Sequence, residues 1–189
     1  PPVLHTLSHI LPGAVTGCDI DRDGYMKKLV NILFLCTGNS ARSILAEAIL
    51  SRDGDGRFRA FSAGTSPRGE VHPLALELLA TLGIPTRGLR SKGLQEFAGP
   101  GAAAMDAVID VCDDAGKEGL PALPGAPVVA RWRVPDPAVA PWDEAASRTA
   151  FLDAYLALHA RISRLLDLPF PSLGHEEIRS RLEEIDRTS

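Results

Sequence analysis

No stretch of the sequence approaches the ~18 consecutive apolar residues of a membrane-spanning helix. Positive charge is not in excess: 20 Lys and Arg against 24 Asp and Glu give a net charge of −4 and a pI of about 5.7. General binders of nucleic acid or of anionic membranes are more often basic, so neither is an expected partner. Cysteine is scarce and odd in number, three in 189 residues. That excludes a closed disulfide framework and fits a reducing, cytoplasmic compartment, where a thiol is buried filler or chemistry. Neither the cysteines nor the five histidines show metal-ligand spacing, so no bound metal or cofactor is expected. What is present, 45% hydrophobic and 23% charged residues, is ordinary for one well-cored globular domain.

Residues 1–25 differ from the rest. They scatter Pro and Gly without a sustained period and lack the basic start and long apolar core of a secretory signal. They carry Cys18 and −2 of the net charge, through Asp19, Asp21, Asp23 and Arg22. The expectation is a loose or non-native arm at 1–25 and a catalytic domain at 26–189 with a helical tail. From Leu29 the pattern alternates. Strands are expected at Leu29–Leu35, Phe58–Ser62, Ala107–Val111 and Val128–Trp132. Helices are expected at Ser43–Leu50, from His72-Pro73 to a stop at Gly83, at 91–97, at Ala145–Leu166 and at 175–185. Arg148, Asp153, Arg161, Arg164 and Asp167 would keep one face of the long helix in water. Arg179, Arg181, Glu183 and Glu184 would do the same for the last helix. Strands separated by helices imply an α/β domain: a parallel sheet, helices on both faces, and ligands beyond the carboxyl ends of the strands.

The first strand runs directly into Cys36-Thr37-Gly38-Asn39-Ser40-Ala41-Arg42-Ser43, where a helix starts. Such a loop curls so that its backbone N–H groups converge on one point, at the positive end of the helix dipole. Gly38 and Asn39 are the residues that most easily take positive φ in the curl. Arg42 offers a planar fork for two oxygens of a tetrahedral oxyanion. Thr37, Gly38, Asn39, Ser40 and Ala41 complete the cradle with Arg42. The same field would lower the pKa of Cys36 and make it a nucleophile, and the Ser43 hydroxyl would donate to its sulfur. No Gly-Lys-Ser/Thr is present, so this is not a nucleotide loop.

These residues resemble the low-molecular-weight protein tyrosine phosphatase superfamily, and more narrowly the arsenate reductases built on that fold. The stretches FSAGTSP (61–67), LGIPTRGLRSK (82–92), VCDDA (111–115), and Trp132 followed by Asp136-Pro137 extend the resemblance over roughly 28–166. It implies a single domain with a four-stranded parallel sheet in order 2-1-3-4. It also implies Asp136 as general acid for the leaving oxygen and Cys112 as the thiol that resolves a Cys36 adduct. Cys112 closes the third strand, on the same rim as the Cys36 loop. Two absences favour reduction of arsenate over hydrolysis of a phosphoester. Phosphatases of this type carry a second cysteine inside the loop, where Ala41 stands. They also follow Asp-Pro with tyrosines, where Ala138, Val139 and Ala140 stand. An aromatic content of 5% agrees. The alternative is a phosphotyrosine phosphatase working through a phosphocysteine. Loss of Cys36 or Arg42 would mark an idle oxyanion binder, and both are present.

Thioredoxin-coupled members of the family have a third cysteine seven or eight residues past the second; Gly119 and Leu120 stand there. The expected partner is therefore an external thiol, namely thioredoxin, glutaredoxin or a small thiol, with arsenate or phosphate as the bound oxyanion. Asn39, Ser62 and Glu47 match positions that in some members brace the loop or bind potassium. Lys92 falls where an acidic ligand of that ion is expected, and its ammonium would replace the ion. His72 is expected to start a helix, and Trp132 to pack near the Asp136 loop.

Overall fold

A computed structural model describes residues 18–20, 26–112, 120–139 and 143–189. Six strands and four α-helices occur among them, in the order β1 (Cys18–Ile20), β2 (Met26–Lys28), β3 (Val30–Cys36), α1 (Arg42–Asp53), β4 (Phe58–Gly64), α2 (Pro73–Thr81), β5 (Ala107–Asp110), β6 (Val128–Arg131), α3 (Glu144–Leu166) and α4 (His175–Arg187). Short 3-10 turns occupy Leu94–Phe97, Pro137–Val139 and Phe170–Ser172. β3–β6 form one parallel sheet in spatial order β4-β3-β5-β6, which is the expected 2-1-3-4. Of the amino-terminal arm, Cys18–Ile20 pairs antiparallel with Met26–Lys28. Otherwise the expectation for 1–25 lies outside the described residues.

The central strand explains the layering. Ile32, Leu33, Phe34 and Leu35 are all fully buried, so both faces of β3 need cover. α1 and α3 pack together on one side, and α4 packs on β6. Burying each such side chain contributes about 1.5–3 kcal/mol, which holds the strand at the centre of the sheet. The register sets β3 residue Cys36 beside Gly64 of β4, and Leu35 beside Asp110 of β5. All four strands therefore present their carboxyl ends on one rim.

Two expectations about packing change. Trp132 is fully buried against Phe34, and its indole N–H donates to the carbonyl of Leu182 at 2.9 Å. It therefore anchors α4 rather than the Asp136 loop. Arg161 is not on the solvated face of α3. It falls in the stripe Phe151, Ala154, Tyr155, Leu158, Ile162, Leu165 and is buried. Its charge is met by Asp186 of α4 at 3.2 Å and by the carbonyl of Ala157 at 3.0 Å. The polar face expected of α4 is present, opposite a buried line of Ile178, Leu182 and Ile185.

His72 caps α2 as expected, its Nδ1 accepting from Leu74 N at 3.2 Å. Burial first, and Arg68 second, push its pKa below the ordinary imidazole value. Only the neutral ring accepts in this cap. The unfolded chain therefore binds the proton more readily. Stability is expected to fall as pH drops below about 6.5, and to stop falling once the lower folded-state value is passed. His72→Asn keeps a cap without titrating, so its melting temperature should lose this component of the pH dependence. An identical profile in the two proteins would exclude the effect.

Candidate active site

The loop from β3 to α1 is built outward from its carbonyls. Those of Cys36, Thr37, Gly38 and Ser40 accept from the amides of Thr65, Ser66, Arg68 and His72 at 2.9–3.1 Å. Peptide planarity sets each following N–H opposite its carbonyl. The amides of 37, 38, 39 and 41 therefore turn inward, and Asn39 N–H donates to Cys36 Sγ at 3.1 Å. Asn39 has the positive φ expected of it, +42°. Gly38 does not. A Cβ there would come within 3.2 Å of Arg68 Nε, on an exposed side chain that can move aside. Close approach is required at Gly64, where a Cβ would stand only 2.7 Å from the Thr37 carbonyl oxygen. Ala41 supplies no side-chain cap to α1, which leaves the first helical amides for an anion.

A cavity of about 530 Å³ opens over this loop. Cys36, Thr37, Gly38, Ser40, Ala41 and Arg42 line it, joined by Cys112 and Asp136 and by two residues that were not anticipated, Ser66 and Arg68. The sequence signal for these two was available: FSAGTSPR leaves β4, the neighbour of β3, on the same rim. Cys112 lies just past β5, and its Sγ is 3.6 Å from the Thr37 hydroxyl. Asp110 also went unremarked. It is buried, and its Oδ1 accepts from the Cys112 N–H at 3.1 Å and from the Cys112 thiol at 3.4 Å.

Asn39 and Ser43 lie behind the loop. The Asn39 amide donates to Ser43 Oγ at 2.9 Å and to Ser62 Oγ at 2.8 Å, while its Oδ1 accepts from Lys92 N–H at 2.7 Å. That last bond fixes which end of the amide is which. Ser43 Oγ lies 3.0 Å from Cys36 Sγ; either group can donate while Cys36 is a thiol, and the hydroxyl donates once it is a thiolate. Ser62 donates to Glu47 at 2.5 Å. The buried Lys92 ammonium contacts Glu47 at 3.0 Å, Ser62 Oγ at 3.2 Å and the Arg90 carbonyl at 3.3 Å.

One electrostatic expectation is corrected. Burial pushes the Cys36 thiol above its ordinary pKa, outweighing Ser43, Asn39 and Arg42, which pull it down. Arg42 contributes least because its guanidinium is drawn aside, to Asp136 at 3.0 Å and the Val134 carbonyl at 3.1 Å. No group of three or more His, Cys, Asp or Glu side chains among the described residues is placed to hold a metal.

A thiol on the floor of an amide-lined loop, with a guanidinium beside it and a carboxylate at the rim, defines an enzyme that forms a covalent adduct with a tetrahedral oxyanion. The sequence profile of the low molecular weight phosphotyrosine protein phosphatase family matches residues 31–150, and the chain belongs to that family. Within it, the chain is 33% identical over 113 residues to arsenate reductase 2 of Staphylococcus epidermidis, covering 60% of this chain and 82% of the relative. Its fold is shared with an arsenate reductase in the phosphate-binding state, at TM-score 0.57, 24% identity, and coverage of 73% of this chain and 97% of that one. It is also shared with a low molecular weight protein tyrosine phosphatase from T. tengcongensis, at TM-score 0.54, 24% identity, and coverage of 71% and 98%.

Proposed function

We propose that the protein reduces arsenate to arsenite, with Cys36 as nucleophile and Cys112 as resolving thiol. The observation that carries this reading is that both cysteines line one cavity, with the Cys112 sulfur 3.6 Å from the hydroxyl of Thr37, the residue after Cys36. Arsenate enters the amide cradle and Arg42 turns from Asp136 to grip two of its oxygens. Cys36 gives up its proton to Asp136, now released from Arg42, and its sulfur attacks arsenic. Asp136 passes that proton to the oxygen that departs as water. Cys112 then attacks Cys36 Sγ, the S–As bond breaks with its electron pair on arsenic, and arsenite leaves a Cys36–Cys112 disulfide. Thioredoxin, glutaredoxin or a small thiol in a cytoplasmic setting returns both thiols. Asp136 at the rim also supports hydrolysis of a phosphoester, since water attack on a phosphocysteine needs no second thiol.

A single turnover without reductant tests this. Reduced enzyme mixed with arsenate is expected to release about one arsenite per chain and to lose two thiols as a Cys36–Cys112 disulfide in peptide mass mapping. Aryl phosphate hydrolysis with no arsenite and both thiols intact would assign the chain to the phosphatase reading.

A further inference from the structure

We infer that Asp110 is the proton acceptor for Cys112 in the disulfide-forming step. The inference rests on Cys112 being the resolving thiol. Asp110 is the last residue of β5, a strand otherwise composed of buried Ala107, Val108 and Ile109. A carboxylate in that position is costly without a task or a partner. Its two oxygens are divided. Oδ2 faces Arg131, its register partner on β6, at 3.6 Å. Oδ1 faces Cys112, taking the backbone N–H at 3.1 Å and the thiol at 3.4 Å.

The backbone bond alone closes a small Asx turn, which asparagine makes as well. The pairing with Arg131 favours a carboxylate here, and the thiol bond gives that carboxylate a proton to accept. While arsenate enters, an S–H group donating to Asp110 keeps Cys112 neutral; a thiolate there would repel the incoming anion. When the Cys36 adduct has formed, the Cys112 proton passes to Asp110 Oδ1 as the sulfur pair forms the S–S bond to Cys36. The S–As bond breaks, As(V) becomes As(III), and the two thiols become a disulfide. Asp110 then releases its proton to the departing arsenite oxygen. Arg131 holds the far oxygen and so aims the near one.

Other groups also face Cys112: Thr37 and Cys36 from the loop, with Arg42, Arg68 and Asp136 lining the same cavity. The test therefore isolates the step. Disulfide formation is followed by rapid quench in a single turnover across pH, in wild type, Asp110→Asn and Cys112→Ser. Aryl phosphate hydrolysis, which uses Cys36 but not Cys112, is the control. Asp110→Asn is expected to slow disulfide formation about 10²-fold at neutral pH. The defect should shrink in alkaline solution, where hydroxide can take the proton in place of Asp110. Hydrolysis should hold its rate.

Equal rates for the two proteins at neutral pH, or a defect of the same size at every pH, would overturn the inference. Arsenite release from Cys112→Ser would instead overturn the resolving role on which it rests. Should Asp110→Asn not fold, the wild-type profile decides. A plateau in disulfide formation between about pH 6 and 8 supports the acceptor, and a tenfold rise per pH unit tracking thiol ionisation overturns it.

Discussion

Cys112→Ser is expected to lose arsenate turnover by at least about 10³-fold with every thiol reductant, the scale seen when a reacting atom of a covalent catalyst is removed. Its hydrolysis of an aryl phosphate should stay near the wild-type rate. The two reactions share the attack by Cys36 and differ in how the adduct is resolved. Reduction needs a sulfur that forms a disulfide, which an alcohol cannot do, whereas hydrolysis needs water alone. Serine also fits the site. Cys112 is buried, and the Asp110 oxygen that meets its thiol accepts equally from a hydroxyl. A loss of arsenite production with hydrolysis retained therefore cannot be assigned to unfolding. Steady arsenate turnover by this variant would mean that an external thiol attacks the Cys36 adduct directly. Cys36→Ser, by contrast, removes both reactions.

The raised pKa of Cys36 belongs to the same logic. Burial holds the Cys36 thiol above its ordinary pKa, and Arg42, drawn to Asp136 and Val134, offsets it least. An arriving dianion competes with Asp136 for the guanidinium. Once Arg42 swings over the loop, its charge adds to the inward amides and to the Ser43 hydroxyl, all of which favour the thiolate. In the proposed mechanism, activation of the nucleophile would be coupled to occupancy of the cradle, and the freed Asp136 would take the Cys36 proton to the rim for the leaving oxygen.

Much of this was legible in the sequence because local signals agreed. β3 reads as a buried strand from LVNILFL, and Pro73 and Gly83 bracket α2. The Cys-x5-Arg-Ser spacing carried the oxyanion loop. What escaped was set by pairing across the chain. Asp110 is one polar letter in an apolar run; its turn onto Cys112 is local, but only the β5–β6 register brings Arg131 to its other oxygen. Arg68 lies in a loop without period. Arg161 reads as a solvent charge until α4 brings Asp186 against it. The Cys36 pKa was misjudged because a sequence shows the nearby arginine and hydroxyl but not the burial of the sulfur, which outweighs them.

Lys92→Met is expected to destabilise the fold by about 3 kcal/mol, the low end of the range for breaking a buried pair, since Glu47 keeps some contact with solvent. The ammonium is the cation of a relay that ends at the nucleophile. Lys92 and Glu47 hold Ser62, Ser62 and Ser43 hold the Asn39 amide, and Ser43 meets Cys36. Without the Lys92 ammonium the Glu47 carboxylate retains only the Ser62 hydroxyl from this set, and Asn39 keeps the backbone N–H of residue 92 but bonds a Ser62 that has lost one of its holders. Activity should fall in both the arsenate and aryl phosphate assays, because both use Cys36. Adding Glu47→Gln removes the uncompensated charge and should recover most of the stability. Lys92→Ala offers a separate check. It leaves oxygens of Glu47, Ser62 and Arg90 around the place of the ammonium, so potassium should raise the melting temperature and activity of this variant and leave wild type unchanged. A Lys92→Met protein as stable and active as wild type would show that the relay carries no energy. A potassium response in wild type would show that the ammonium does not fill the cation's place.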